Sequence, residues 1–66
     1  MRYIYNGRPR DAEAGPTVAE LVDAEVGSRA GVAVAIDGEV VPASTWEDTV
    51  IDDGATVDLL TAVQGG

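Results

Sequence analysis

The chain has 66 residues, with four basic and twelve acidic side chains and neither cysteine nor histidine. A net charge of -8 repels phosphate backbones and anionic lipid, which excludes nucleic acid and membrane surfaces as partners. With no thiol and no imidazole, disulfide staples, thiolate zinc sites and Ser-His pairs built on Ser28 or Ser44 are also excluded.

A chain of this length forms one domain and buries only about 60% of the surface it exposes when unfolded. No apolar run approaches the roughly 20 residues of a membrane span. The start, M-R-Y-I-Y-N-G, reaches a turn too early for a signal peptide, so a cytoplasmic protein is expected. The acidic residues are scattered, as on a solvated surface, and they also permit steering toward a basic protein partner.

Arg2 to Tyr5 is aromatic and β-branched, and Asn6-Gly7 follows. That dipeptide suits a two-residue turn with positive φ at both positions, so Pro9 to Glu13 is expected to return as a second strand. Gly15-Pro16 breaks the strand. Thr17-Val18-Ala19-Glu20 then has the spacing of a capping box, in which each end satisfies the other's backbone N–H. Val18, Leu21, Val22 and Val26 form one apolar stripe, and Gly27 suits the residue after a helix. A helix this short needs a sheet to pack on.

From Gly31 to Ile36, Val32, Val34 and Ile36 alternate with Ala33 and Ala35, which predicts a strand apolar on both faces and placed near the middle of a sheet. Asp37-Gly38 is a second hairpin turn, Glu39-Val40-Val41 its return strand, and Pro42 the stop. Ala43 to Val50 reads as a loop with a 3₁₀ turn around Ser44 to Trp46, and Trp46 as a lid on the core. Asp52-Asp53-Gly54 is a turn without calcium-loop spacing, so no metal ligands are assigned. The last strand runs from Ala55 to Val63. Val57, Leu59 and Val63 point to one side, and Leu60 and Ala62 to the other, where they are candidates for a partner-facing surface.

This order predicts an α+β domain over residues 1–63, a mixed sheet of about five strands with one main helix across one face. The last strand is expected beside the first and parallel to it, because the long connection allows a crossover. The pattern leaves the full strand order open. Residues 64–66 are expected to form a flexible tail ending in Gly-Gly.

The chain resembles the ubiquitin-like β-grasp sulfur carriers, and within them the ThiS-like thiamine-biosynthesis branch. The resemblance rests on "NG" after the first strand, "GPTVAELV" at the helix start, "GVAVAIDGEVVPASTW" and "DDGATVDLLTAVQGG", in order over the whole chain. Ala43 departs from the basic residue that members often carry after this proline, and "GSRAG" is a compact connection. Molybdopterin-synthase small subunits share the fold and the Gly-Gly end but are typically longer. The alternatives are therefore a carrier for molybdopterin or cysteine synthesis, or a ubiquitin-like protein modifier.

The resemblance implies a protein co-substrate, not an enzyme, with no catalytic residue and no bound cofactor or metal of its own. Gly66 would carry the sulfur, adenylated and then converted to a thiocarboxylate, with Gly65 and Gln64 entering the partner's active site. Glycines lack a Cβ, which lets the backbone approach a buried reaction centre closely. The implied partners are an E1-like adenylating enzyme using ATP and Mg, a sulfur donor such as a cysteine-desulfurase relay, and thiazole synthase as acceptor.

Overall fold

The computed structural model describes residues 1–62. The first hairpin joins β1 (Arg2–Tyr5) to β2 (Arg8–Asp11), closing where Asn6 has φ 48° and Gly7 φ 82°. Those are the positive values that a right-twisted two-residue hairpin requires. The return strand starts one residue earlier than Pro9 and stops at Asp11, short of the expected Glu13. Pro9 faces Ile4 on an edge strand, where its missing N–H costs no ladder bond to a further strand.

Helix α1 spans Val18–Glu25 and begins with the expected reciprocal cap. Thr17 Oγ1 accepts from the Glu20 N–H at 3.1 Å, and Glu20 Oε1 accepts from the Thr17 N–H at 2.8 Å. Gly27, at φ 81°, ends it and donates to the Val22 carbonyl. The buried face is Val18, Ala19, Leu21 and Val22. Val26 is the C-cap and is half-exposed, so Ala19 takes the place on the buried stripe that the apolar spacing gives to Val26.

The second hairpin pairs β3 (Val32–Ile36) with β4 (Glu39–Val41) across Asp37-Gly38, with φ 51° and 85°. A 3₁₀ helix (Ala43–Asp48) follows, longer than the single turn read from the sequence. It carries Trp46 into the core rather than over it: the ring is 1% exposed and its Nε1–H donates to the Val41 carbonyl at 2.8 Å. Burying an indole is tolerable when that one donor is satisfied.

Strand β5 (Thr56–Thr61) returns through the centre of the sheet, whose order is β2-β1-β5-β3-β4. It runs parallel to β1 and antiparallel to β3, as expected for the first pair. The centre of the sheet is thus β5, and β3 lies one place off it. The alanine face of β3 is not covered by any second layer: Ala33 is exposed and Ala35 half-buried. Small side chains there suit a sheet apolar on one side and open on the other. The core between helix and sheet joins Tyr3, Val34, Val57 and Leu59 to the helix residues, Trp46 and Ile51. Each large apolar side chain so buried contributes about 1.5–3 kcal/mol.

Gly15 has a role beyond breaking the strand. The Pro16 carbonyl accepts from the Ile51 N–H, and the Val18 N–H donates to the Thr49 carbonyl, each at 2.8 Å. This short bridge straps the helix start to residues 49–51 and lays the Gly15 Cα against the Ile51 backbone. A Cβ at Gly15 would collide with the Ile51 carbonyl oxygen.

Gly15→Ala is therefore expected to cost about 1–3 kcal/mol in urea unfolding, because backbone, not a side-chain tip, must move. Gly27→Ala is the comparison. Nothing lies within 4 Å of its added Cβ, so only its positive φ is penalised, by about 1 kcal/mol. Gly15 has no positive φ to penalise, so an unchanged stability of Gly15→Ala would show that the Gly15–Ile51 contact carries no weight.

Candidate functional site

The residues assigned to sulfur carriage, Gly66, Gly65 and Gln64, lie outside the described residues, as does Val63. What the structure describes is the base from which they continue. Ala62 is exposed, and its N–H donates to the Gly31 carbonyl at 2.6 Å, so the chain is tied to the start of β3 up to that point.

Asn6 ties the same strand from the other side. Its backbone N–H donates to the Val57 carbonyl at 2.9 Å, continuing the parallel β1–β5 ladder one step past β1. Its side chain then acts as a further peptide group. Oδ1 accepts from the Leu59 N–H at 2.7 Å, and Nδ2 donates to the Leu59 carbonyl at 3.2 Å. The dipeptide pattern marks Asn6 as a turn residue, and nothing in the sequence points to this second use. An amide is the side chain that can donate and accept at once.

Asp37 does a related thing at the start of β5. Its N–H donates to the Thr56 carbonyl at 2.8 Å, and its Oδ1 accepts from the Thr56 N–H at 2.9 Å. The central strand is thus held at its start and its middle by turn residues with positive φ.

Of the two residues proposed for a partner-facing surface, Leu60 is 71% exposed. It pairs with Ala33, and Asp58 pairs with Ala35, which in turn faces Val40 on β4. Alternation along the strands puts these five side chains on the uncovered face of the sheet. Ala62 lies two residues beyond Leu60 at the end of β5, exposed like it. The apolar part of the uncovered face therefore runs toward the end of the chain where the glycines follow.

Electrostatics divide the molecule. Arg2 pairs with Asp11 at 2.7 Å, Arg10 with Glu25, and Arg29 with both Asp23 and Glu47. The Arg2 guanidinium holds the Asp11 carboxyl below the usual carboxylate range, by hydrogen bonding first and charge second. Arg29 does the same for Asp23, chiefly through its hydrogen bonds. Burial, and then the Glu25 carboxylate, push the Tyr5 phenol up, while the Arg10 guanidinium over its ring pulls the other way. No group of His, Cys, Asp and Glu side chains suited to a metal ion occurs among the described residues.

The strand order, the crossing helix and the parallel central pair define a ubiquitin-like β-grasp domain, and solved structures share it. The crystal structure of the thiamine biosynthesis protein (ThiS) from Geobacter metallireducens superposes with a TM-score of 0.83 at 30% identity, covering all of both chains. The solution structure of a thiamine biosynthesis protein from the same organism gives 0.80 at 32% identity, covering all of this chain and 88% of that one. The sulfur carrier protein ThiS of Escherichia coli (strain K12) is 32% identical over 66 residues, the full length of both. The sequence profile of the ThiS family matches residues 3–66. The chain belongs to the ThiS family.

Two outcomes follow from the geometry. Asn6→Asp keeps the turn and the acceptor for the Leu59 N–H but sets a carboxylate oxygen against the Leu59 carbonyl. A loss of about 1–3 kcal/mol is expected in urea unfolding, with faster amide exchange in β5; unchanged exchange would deny the clasp.

The second concerns pH. The Asp11 and Asp23 carboxyls titrate lower in the folded chain than in the unfolded one. Their stabilisation is present above the unfolded value, about pH 4, and is lost as pH falls through the depressed folded values. The urea midpoint should fall below about pH 4 and respond less in high salt. Arg29→Gln should flatten that fall; an identical acid limb would contradict the assignment.

Proposed function

We propose that this chain carries sulfur for thiamine biosynthesis on the carboxylate of Gly66. The observation that carries the reading is the ThiS-family match, which continues through the last residue and therefore includes the Gly-Gly end. The thiamine-biosynthesis sulfur carrier of the same length supports it.

The chemistry follows from the carboxylate. Its charge and resonance resist nucleophilic attack at neutral pH. The Gly66 carboxylate attacks the α-phosphorus of ATP, pyrophosphate leaves, and the acyl adenylate now has a good leaving group. A sulfur nucleophile at the sulfide level adds to the carbonyl, AMP departs, and a thiocarboxylate remains on Gly66. The adenylating partner, E1-like and dependent on Mg-ATP, must exclude water from this intermediate. The sulfur comes either as sulfide or from a donor such as a cysteine-desulfurase relay. The relay's persulfide displaces AMP to give an acyl disulfide that a thiol then cleaves, leaving the thiocarboxylate and a disulfide. The thiocarboxylate sulfur is passed to thiazole synthase.

The chain is a co-substrate rather than an enzyme. Its own contribution is a rigid base, β5 held by Asn6 and Gly31, and a terminal segment narrow enough to reach a buried centre. Gly65 and Gln64 would lie in the channel of the partner. Leu60 and Ala62, beside that segment, form the docking surface in this reading, because an exposed apolar side chain flanked by alanines is the kind of surface that a partner covers. The cytoplasm, with its ATP, is the compartment that suits these steps, and no helix among the described residues is long and apolar enough to cross a membrane.

The test is the intact mass of the chain after incubation with the adenylating enzyme, ATP and a sulfide source. The expected product is heavier by the exchange of one oxygen for one sulfur, and deletion of Gly66 should abolish it. Leu60→Asp, on an exposed position, should leave the fold intact and slow loading by about tenfold or more. An unloaded wild-type chain would refute the carrier reading, and full-rate loading of Leu60→Asp would refute the surface alone.

A further inference from the structure

Next to β4 the core opens to solvent on the helix side of the sheet. A groove of about 490 Å³ lies there between β4 and residues 49–52. Ile36 and Val41 line it, half-buried and packed on the core, together with Val50, which is 53% exposed. Asp37, Glu39 and Asp52 also line it, and no lining residue is basic.

No arginine offsets the charges around this groove. Asp11, Asp23, Glu25 and Glu47 are each matched by an arginine. Residues 30–66 contain no lysine, arginine or histidine at all. Asp37 gives one oxygen to the Thr56 N–H, while the side-chain carboxylates of Glu39 and Asp52 have no ion-pair or hydrogen-bond partner among the described residues. The groove therefore joins an apolar floor to uncompensated negative charge.

That combination selects its occupant. A second copy of a chain with net charge -8 is repelled, and the chain's own last residues carry no base to offer. Anionic lipid and nucleic acid are repelled likewise. What fits is a long cationic side chain, whose aliphatic stem covers apolar surface while its head meets carboxylates. We propose that this groove docks an extended segment of a partner protein in which an arginine or lysine stands between apolar residues. The stem packs on Ile36, Val41 and Val50, and the cationic head lies between Glu39 and Asp52.

The site is separate from the tail. In the β3–β5 register Ile36 faces Val57, whereas Val32 faces Thr61, so the groove lies beside the start of β5, at the opposite end of that strand from Thr61. A partner can hold it while the tail is engaged elsewhere. The proposal does not depend on the carrier chemistry.

The experiment is an amide-shift titration of the isotopically labelled full chain with capped Val-Arg-Val-Arg-Val and Val-Lys-Val-Lys-Val peptides, with Val-Glu-Val-Glu-Val as control. The expected shifts are confined to residues 36–42 and 49–52, weaken severalfold as salt rises from about 0.02 to about 0.3 M, and are absent with the glutamate peptide. Glu39→Gln combined with Asp52→Asn, both exposed positions, should weaken binding by about tenfold, and its own spectrum reports that it folds. Shifts centred on Leu60, unchanged binding by the double variant, or no shift with either basic peptide at about 5 mM would each overturn the proposal. Sulfur loading, read by mass on the same samples, is a separate result.

Discussion

The structure depends on one pairing, the parallel contact between the first strand and the last. The Ile4 N–H donates to the Ala55 carbonyl and the Asn6 N–H to the Val57 carbonyl, each at 2.9 Å. Parallel neighbours cannot be joined by a tight turn, so a connection must leave the sheet and come back. Here everything from β2 to the 3₁₀ helix is that connection. Its helix covers one face, its second hairpin supplies the other neighbour of β5, and Val57, fully buried, sits where all of them meet. If β1 and β5 separated, the helix would have no continuous surface to cover.

The last strand is also the central one, so the segment that leads to residue 62 starts from the most constrained place in the sheet. Its clasps are economical. Asn6 and Asp37 each use a positive φ to turn a hairpin and then a side chain to bind the backbone of β5. Ala62 is tied to Gly31 in turn, so hydrogen bonds anchor this strand and the residue after it. Ordering a segment on binding costs free energy for every residue immobilised, and a strand already held in this way adds little to that cost.

Local chemistry made much of this legible. Both hairpin turns, the capping box at Thr17 and Glu20, and the glycine stop at Gly27 depend on nearest neighbours, and each appears where its residues require. The parallel placement of β5 followed from connection length. Features set by distant contacts were harder. The amide of Asn6 meets Leu59 fifty-three residues away, and Gly15 lacks a Cβ because Ile51 lies against it. β3 is an interior strand, paired with both β5 and β4 as its apolar pattern requires. Alanines, however, serve equally on a covered face and on a shallow open one, so the pattern did not show that only one face is covered. Of the site, the apolar Leu60 position was readable from alternation, while the groove beneath the second hairpin was not, since it is assembled from two segments separated by the 3₁₀ helix.

Under the proposed function, the chain visits an activating enzyme and then an acceptor, and must be released by each. Affinity among related complexes is set mostly by the dissociation rate, and a large buried apolar interface dissociates slowly. The uncovered face of this sheet suits the opposite need. Its apolar part is Leu60 with small neighbours and Val40, interrupted by Asp58, so it offers one anchor rather than a continuous patch. The net charge of -8 would steer it toward a basic partner, acting chiefly on the rate of encounter. In that reading charge gives fast arrival and the one modest apolar anchor permits release, whereas a stickier sheet would hold the carrier on whichever enzyme it met first.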